Sequence, residues 1–203
     1  MQVLTSKMLQ AKILIADDDP LIRIDLRTLL ESIGHIVVGE ASNGEEACYM
    51  ARSLKPDLII LDVMMPVMSG LEAASVISSE RAAPILMLTA YSEAPMIEAA
   101  TQAGVLAYLV KPYRKNELQA AIEIAITRYR ELVALETERD NLQEQFETRK
   151  VVGRAKSILM NRYELSEREA FRRLQAQSLA LNRSLKEIAE AIILTEEINV
   201  LKK

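Results

Sequence analysis

The chain has 203 residues, 50% hydrophobic and 27% charged, with a formal net charge of −4 and one cysteine, Cys48. That is room for one standard domain and a smaller one. A single cysteine excludes a disulfide framework and a cysteine metal site, and no run approaches the roughly 18 uninterrupted apolar residues of a membrane span.

Met1–Gln10 carries one Lys and a broken apolar pattern, too weak for a signal peptide, so a cytoplasmic chain with no membrane partner is the expectation. Charge is unevenly spread. Residues 1–145 hold 13 Lys/Arg and 21 Asp/Glu, a net −8, and residues 146–203 hold 12 and 8, a net +4. The two parts are expected to meet different partners, the basic one a polyanion, although a mildly basic solvated surface has the same composition.

Lys12–Ala16 reads as a short strand ending in Asp17-Asp18-Asp19. Pro20 suits the first turn of a helix whose apolar face is predicted to be Leu21, Ile22, Ile24, Leu26, Leu29, Leu30 and Ile33, closed by Gly34. His35–Ala41 is a second, less regular strand, and Asn43-Gly44 opens a helix over Glu45–Leu54. Leu58-Ile59-Ile60-Leu61 reads as a strand buried on both faces, delivering Asp62 at its C-terminal end before the loop at Pro66 and Ser69-Gly70. Helix Gly70–Glu80, strand Ile85–Thr89, helix Ala94–Ala103 and strand Ala107–Val110 follow, the last leading into Lys111-Pro112. Strand and helix alternate five times, which predicts a doubly wound α/β parallel sheet.

A helix then starts near Arg114, with no Gly or Pro from Tyr113 to Val152. Leu132, Leu135, Leu142 and Phe146 fall on a 3-4 spacing with Arg139 in the gap. That seam fits a short coiled coil and a homodimer, or a long helix packed on its own chain. Helix Arg149–Tyr163 places Val151, Val152, Ala155, Ile158 and Leu159 on one side. Ser166-Glu167-Arg168-Glu169 and Ser184-Leu185-Lys186-Glu187 are capping boxes, so two further helices start at Glu167 and Leu185. Their predicted apolar faces are Ala170, Leu174 and Ala176–Leu181, then Ile188, Ala189, Ile192 and Ile193.

In a sheet ordered 2-1-3-4-5 the first and third strands are neighbours, and Asp17, Asp18 and Asp62 converge. Three carboxylates in one cleft repel unless a cation sits among them, and a hard ion such as Mg²⁺ suits oxygen ligands. If the chemistry is phosphoryl transfer, one carboxylate serves as nucleophile. Thr89 offers a hydroxyl and Lys111 a positive charge at successive strand ends, the parts needed to neutralise phosphoryl oxygens. Taken singly, Asp62 and Thr89 could cap turns, and Lys111 could be a solvated residue before proline.

Together these residues, in ILIADDDP, LIILDVMMP, LTAYS and YLVKP, resemble the receiver domain of two-component response regulators over about Lys12–Ala125. The resemblance implies a flavodoxin-like fold, Asp62 as acceptor of a phosphoryl group from a sensor histidine kinase, and Mg²⁺ held by Asp17, Asp18, Asp62 and the backbone carbonyl of Met64. It implies that Thr89 and Lys111 contact the phosphoryl group, that Tyr108 is a switch moving with Thr89, and that the Lys111–Pro112 peptide is cis. Asp19 is a weak candidate for metal contact, and His35 reads as structural.

The C-terminal segments Glu147–Met160, Leu165–Phe171 and Asn182–Ala189 resemble an ANTAR domain, a three-helix RNA-binding module that prevents transcription termination. The implied organisation is a receiver over 10–127, a helical linker or coiled coil over 128–145 and an RNA-binding unit over 146–197, a regulator and not an enzyme. From Phe146 to Lys186 ten Lys/Arg face four Glu, an excess able to neutralise phosphates of RNA terminator or antiterminator hairpins. Arg149, Arg154, Lys156, Arg173 and Arg183 are the candidate contacts. Tyr163 and Phe171 are expected in the core of the small bundle, the alternative being to stack on unpaired bases. A protein-interaction output, or more weakly a DNA-binding one, is the competing reading.

Overall fold

The structure is a computed structural model that describes residues 10–90 and 94–200. Five parallel strands, β1 (Lys12–Ala16), β2 (Ile36–Ala41), β3 (Leu58–Asp62), β4 (Ile85–Thr89) and β5 (Ala107–Val110), form one sheet in the order β2-β1-β3-β4-β5. Helices α1 (Pro20–Ser32), α2 (Gly44–Leu54), α3 (Gly70–Ser79) and α4 (Ala94–Gln102) connect them, and α5 (Lys115–Tyr163) follows β5. This is the flavodoxin-like order expected from the sequence.

Strand periodicity sorts the core into two layers. Leu14, Ala16, Ile59, Leu61, Ile85 and Met87 pack against Ala47, Ala51, Ala73, Ala74 and Ile77 of α2 and α3. The alternate residues Ile13, Ile15, Leu58, Ile60, Leu86 and Leu88 pack against Leu26 and Leu30 of α1 and Leu118, Ile122 and Ala125 of α5. Successive side chains on a strand point to opposite faces, so a sheet covered on both sides needs continuous apolar runs, and β3 and β4 have them. The α1 face is narrower than the sequence suggests: Leu26, Leu30 and Ile33 are buried, while Leu21 and Ile24 are 70% and 56% exposed. One helix stripe meets the sheet, and both residues lie outside it.

Local chemistry starts the helices where the sequence places them. Asp19 caps α1, accepting from Leu21 N–H at 2.8 Å, with Pro20 in the first turn. Asn43 caps α2 and Ser69 closes a capping box on Glu72 at α3. His35 is structural: it is buried and its Nδ1 accepts from Ala11 N–H at 3.3 Å.

The chain divides into two compact units, Met1–Val133 and Ala134–Lys203. In the second, α6 (Glu167–Leu181) and α7 (Leu185–Val200) pack with the end of α5 around Val152, Ala155, Leu159, Ala170, Leu174, Ile188 and Ala189. Both capping boxes form, at Ser166/Glu169 and Ser184/Glu187. The predicted apolar run Ala176–Leu181 does not enter this core: Leu179 and Leu181 are 83% and 59% exposed. A three-helix bundle buries one stripe of α6, and Ala170 and Leu174 already fill it. Leu132, Leu135, Leu142 and Phe146 are exposed on α5 among the described residues.

Candidate functional site

Parallel pairing of β1 with β3 sets Ala16 opposite Leu61, so the next residues, Asp17 and Asp62, leave the sheet side by side. Lys111, just past β5, reaches across the strand ends. Its Nζ lies 2.6 Å from Asp17 Oδ2 and 2.6 Å from Asp62 Oδ1. The second oxygen of each carboxylate accepts a backbone N–H, Asp62 Oδ2 from Met64 at 2.7 Å and Asp17 Oδ1 from Asp19 at 3.0 Å. Both carboxylates are buried, and Lys111 is about one-fifth exposed.

Burial pushes the Asp62 carboxyl above its ordinary range, against the hydrogen bond and charge of Lys111, and the charge of Asp17 adds to the rise. Burial alone would lower Lys111, but its hydrogen bonds to Asp17 and Asp62 and their charges outweigh it and hold the ammonium up. The two rises look opposed for a single ion pair. Their causes differ: burial dominates at Asp62, while at Lys111 the two carboxylates that share this one cation outweigh burial, so the carboxylates outnumber the cation between them.

The third expected carboxylate does not join. Asp18 is exposed on a bend, and among the described residues no group of three or more His, Cys, Asp or Glu stands close enough to hold a metal ion. In this structure Asp17 and Asp62 form a pair bridged by Lys111, and Asp18 stands outside that pair. Strand pairing fixes the residue after Ala16, but the bend beyond it turns Asp18 to solvent. Asp19 is committed to capping α1.

Thr89 is buried at the end of β4, and its carbonyl accepts from Lys111 N–H at 2.7 Å. Tyr108 is half-exposed, and it shares a crevice with Thr89, Val63, Met87, Met96, Ile97 and Ala100. The Lys111–Pro112 peptide is cis.

Three supports of this site carry no evident signal in the sequence. Arg23 donates from Nη1 to the carbonyls of Asp17 (2.7 Å) and Asp18 (3.3 Å), tying α1 to the acidic bend. Glu40 faces Arg23 at 3.4 Å and Arg27 at 2.6 Å. Gly70 lies so close to β3 that a Cβ there would meet Asp62 O at 1.9 Å. A salt bridge between distant positions cannot be read from spacing, and Gly70 alone reads as a loop marker.

In the helical unit the basic candidates separate. Arg154 pairs with Glu197 at 2.8 Å, Lys156 with Glu167 at 2.6 Å and Arg183 with Glu187 at 2.9 Å. Arg173 lies over the Tyr163 ring, 4.6 Å from its centroid, and Arg149 is exposed on α5. Tyr163 (48% exposed) and Phe171 (36%) are both outside the core, contrary to the expectation that they fill it. Small aliphatic side chains already close the bundle.

Residues 13–123 match the response regulator receiver domain and residues 140–193 the ANTAR domain. The transcriptional regulatory protein PdtaR of Mycobacterium tuberculosis is 45% identical over 184 residues, covering 91% of this chain and 90% of that protein. Among solved structures, the signal receiver domain of a modulated diguanylate cyclase from Desulfovibrio desulfuricans superposes with a TM-score of 0.56 at 32% identity, covering 60% of this chain and 97% of the other. The response regulator domain of Thermotoga maritima CheB does so with a TM-score of 0.54 at 28% identity, covering 58% and 97%. With matching domains, a relative alike over nearly its whole length and the receiver sheet order, the chain belongs to the response regulators, joining a receiver domain to a C-terminal ANTAR domain.

Proposed function

We propose that this response regulator takes a phosphoryl group on Asp62 from a sensor histidine kinase and answers by binding RNA hairpins that decide transcription termination. The observation that carries the first half is the pair of carboxylates at neighbouring strand ends, bridged by one lysine. A carboxylate oxygen of Asp62 attacks the phosphorus of the phosphohistidine. The O–P bond forms as the N–P bond breaks, and the imidazole leaves with that electron pair. Lys111 releases Asp62 and turns its charge to the phosphoryl oxygens, and the Thr89 hydroxyl donates to one of them. Tyr108, half-exposed beside the crevice it shares with Thr89, follows that hydroxyl as the switch.

The oxygen donors and the missing positive charge suit a hard dication. Asp17 and Asp62 would hold Mg²⁺, with Asp18 and the Met64 carbonyl beside them. When bound, it supplies charge that lets anionic nucleophile and phosphoryl group approach.

Incubation with a small phosphodonor, followed by weighing, tests this half. Wild type gains one phosphoryl group with Mg²⁺, and Asp62→Asn gains none. Equal uptake by the variant removes the assignment, and undiminished uptake in chelator removes the metal.

The RNA half draws on the ANTAR match, with the receiver over 10–127, a linker or coil over 128–145 and the RNA-binding unit over 146–197. A protein-interaction output is the second reading, favoured by the pairing of Arg154, Lys156 and Arg183 with glutamates. Salt-dependent binding to structured RNA separates the two. Gating by dimerisation through the exposed seam Leu132, Leu135, Leu142 and Phe146 predicts that an acyl-phosphate mimic raises the solution mass. Leu135→Asp with Leu142→Asp abolishes that rise. If the mimic changes neither mass nor RNA affinity, gating is wrong.

A further inference from the structure

The basic residues of the helical unit are not equivalent. Arg154, Lys156, Arg162 and Arg183 each hold a glutamate within 2.6–2.9 Å. A phosphate approaching any of them must displace a carboxylate that stays nearby and repels it. Arg168, Arg172 and Arg173, in the first half of α6, form no ion pair among the described residues. Arg168 and Arg172 are one turn apart on the exposed face, with Phe171 beside them. Arg173 instead stacks on Tyr163, and Arg162 stands 6.0 Å from the same ring.

Tyr163 adds no side chain to the core, yet it presents nearly half of its surface with the Arg173 guanidinium over its ring. It also borders a groove of about 280 Å³ with an apolar floor, Ile158, Leu159, Leu181 and Ile192, lined besides by the amide of Gln177, the hydroxyl of Thr195 and the Arg162–Glu196 ion pair, whose carboxylate is held by its own guanidinium. An aromatic ring, a stacked guanidinium, an apolar slot and an amide able both to donate and to accept are the parts that take a splayed base by its face and its edge.

We infer that Tyr163 and Arg173, with the groove beside them, form a stacking site for an unpaired nucleobase in an RNA loop, and that Arg168 and Arg172 hold the flanking phosphates. The inference rests on the RNA reading proposed above. It moves the contact surface away from Arg154, Lys156 and Arg183 and onto the first half of α6. Charge complementarity argues for this occupant: Arg168, Arg172 and Arg173 stand in no direct ion pair among the described residues, Arg172 feeling only the charge of nearby Glu169, and a base brings its own phosphates to them.

The test uses the full chain with an acyl-phosphate mimic and two probes at one salt concentration. One is a pool of hairpin RNAs with a randomised unpaired apical loop, and the other has the same stems with abasic loops. Wild type should bind the intact loops more tightly. Tyr163→Leu should remove roughly 5- to 150-fold of affinity for them, the range for losing one stacked base, and little for the abasic ones. Tyr163→Phe, which keeps the ring, should retain the preference. Arg172→Gln should weaken both probes and flatten the salt dependence. Equal binding of the two probes by wild type overturns the stacking site while leaving the RNA reading intact. Displacement of the intact loops by polyglutamate as readily as by competitor RNA also overturns it, marking a general anion surface. Binding of neither probe, with or without the mimic, ends the RNA reading itself.

Discussion

Replacing Lys111 by Met keeps the unbranched side chain as far as its Cε and removes the one cation between two buried carboxylates. Each Nζ–carboxylate contact is 2.6 Å, a gross attraction of about 6 kcal/mol at an effective dielectric near 20. Desolvation of three charged groups offsets most of that, and removing one member of a buried pair typically costs 3–5 kcal/mol because the remaining charge is stranded. Here two anions are stranded side by side, so a loss of about 4 kcal/mol at neutral pH is expected. The pH dependence has a definite sign. Asp62 already sits above its unfolded value, and without Lys111 it rises further, so the variant is destabilised above that folded value and recovers as protonation relieves the repulsion. Lys111 is itself held above its ordinary value, so in wild type its contribution is present below about pH 10.5 and is lost as pH rises beyond it. The gap between the two proteins is therefore widest at neutral pH and narrows at both ends. Native-state hydrogen exchange of the β1 and β3 amides reads this unit's stability separately from the helical unit. Added Mg²⁺ should restore about 2.7 kcal/mol to the variant at a hundred times its dissociation constant. A variant as stable as wild type at neutral pH, or one that loses stability as pH falls, refutes the charge argument, and no effect of Mg²⁺ on its exchange refutes the metal.

Gly70→Ala places a Cβ 1.9 Å from Asp62 O and 3.1 Å from Val63 Cα. Backbone must move by about 1 Å, at roughly 1–3 kcal/mol of stability, and by displacing the acceptor it should slow phosphoryl uptake by on the order of a hundredfold. Wild-type uptake rates in this variant would mean that the Asp62 backbone tolerates the shift. Val67 holds φ at 67° with 78% of its surface exposed. Val67→Gly should stabilise by roughly 0.5–1 kcal/mol, left-handed strain relieved outweighing the entropy of glycine in the unfolded chain, and urea titration showing a loss would contradict this. His35 is held below its ordinary value by burial, partly countered by the charge of Glu123. Its neutral form is the native one, so stability is full above about pH 7 and declines as pH falls below 6.5, by at most about 1.4 kcal/mol per pH unit. His35→Gln, which keeps an acceptor for Ala11 N–H, should flatten that slope, and an unchanged slope would assign the titration elsewhere.

Much of the receiver unit is determined by one-dimensional information. Leu58-Ile59-Ile60-Leu61, a short β-branched apolar run bounded by turn residues, reads as a strand covered on both faces, and β3 is buried throughout. Ser69, Ser166 and Ser184 start helices because a hydroxyl oxygen two bonds from its own Cα accepts from the N–H three residues on, a contact that needs no tertiary partner. Parallel order then puts Asp17, Asp62, Thr89 and Lys111 at the same edge of the sheet.

The tertiary structure alone decided which chemically similar residues share a fate. Asp17 turns into the cleft and Asp18 to solvent although they are adjacent, because strand pairing ends between them. Leu26 and Leu30 are buried while Leu21 and Ile24 are exposed, because helix periodicity says which residues share a face but not how wide a stripe the sheet will cover. The basic excess of residues 146–186 looks uniform in sequence. In the fold, Glu196 and Glu197 of α7, beyond that window, pair with Arg162 and Arg154. Arg173 lies over Tyr163 instead, a ring left outside a core that smaller side chains had already filled. Ion pairs and stacks between helices join residues far apart in the chain, and such distances are set only when the helices pack.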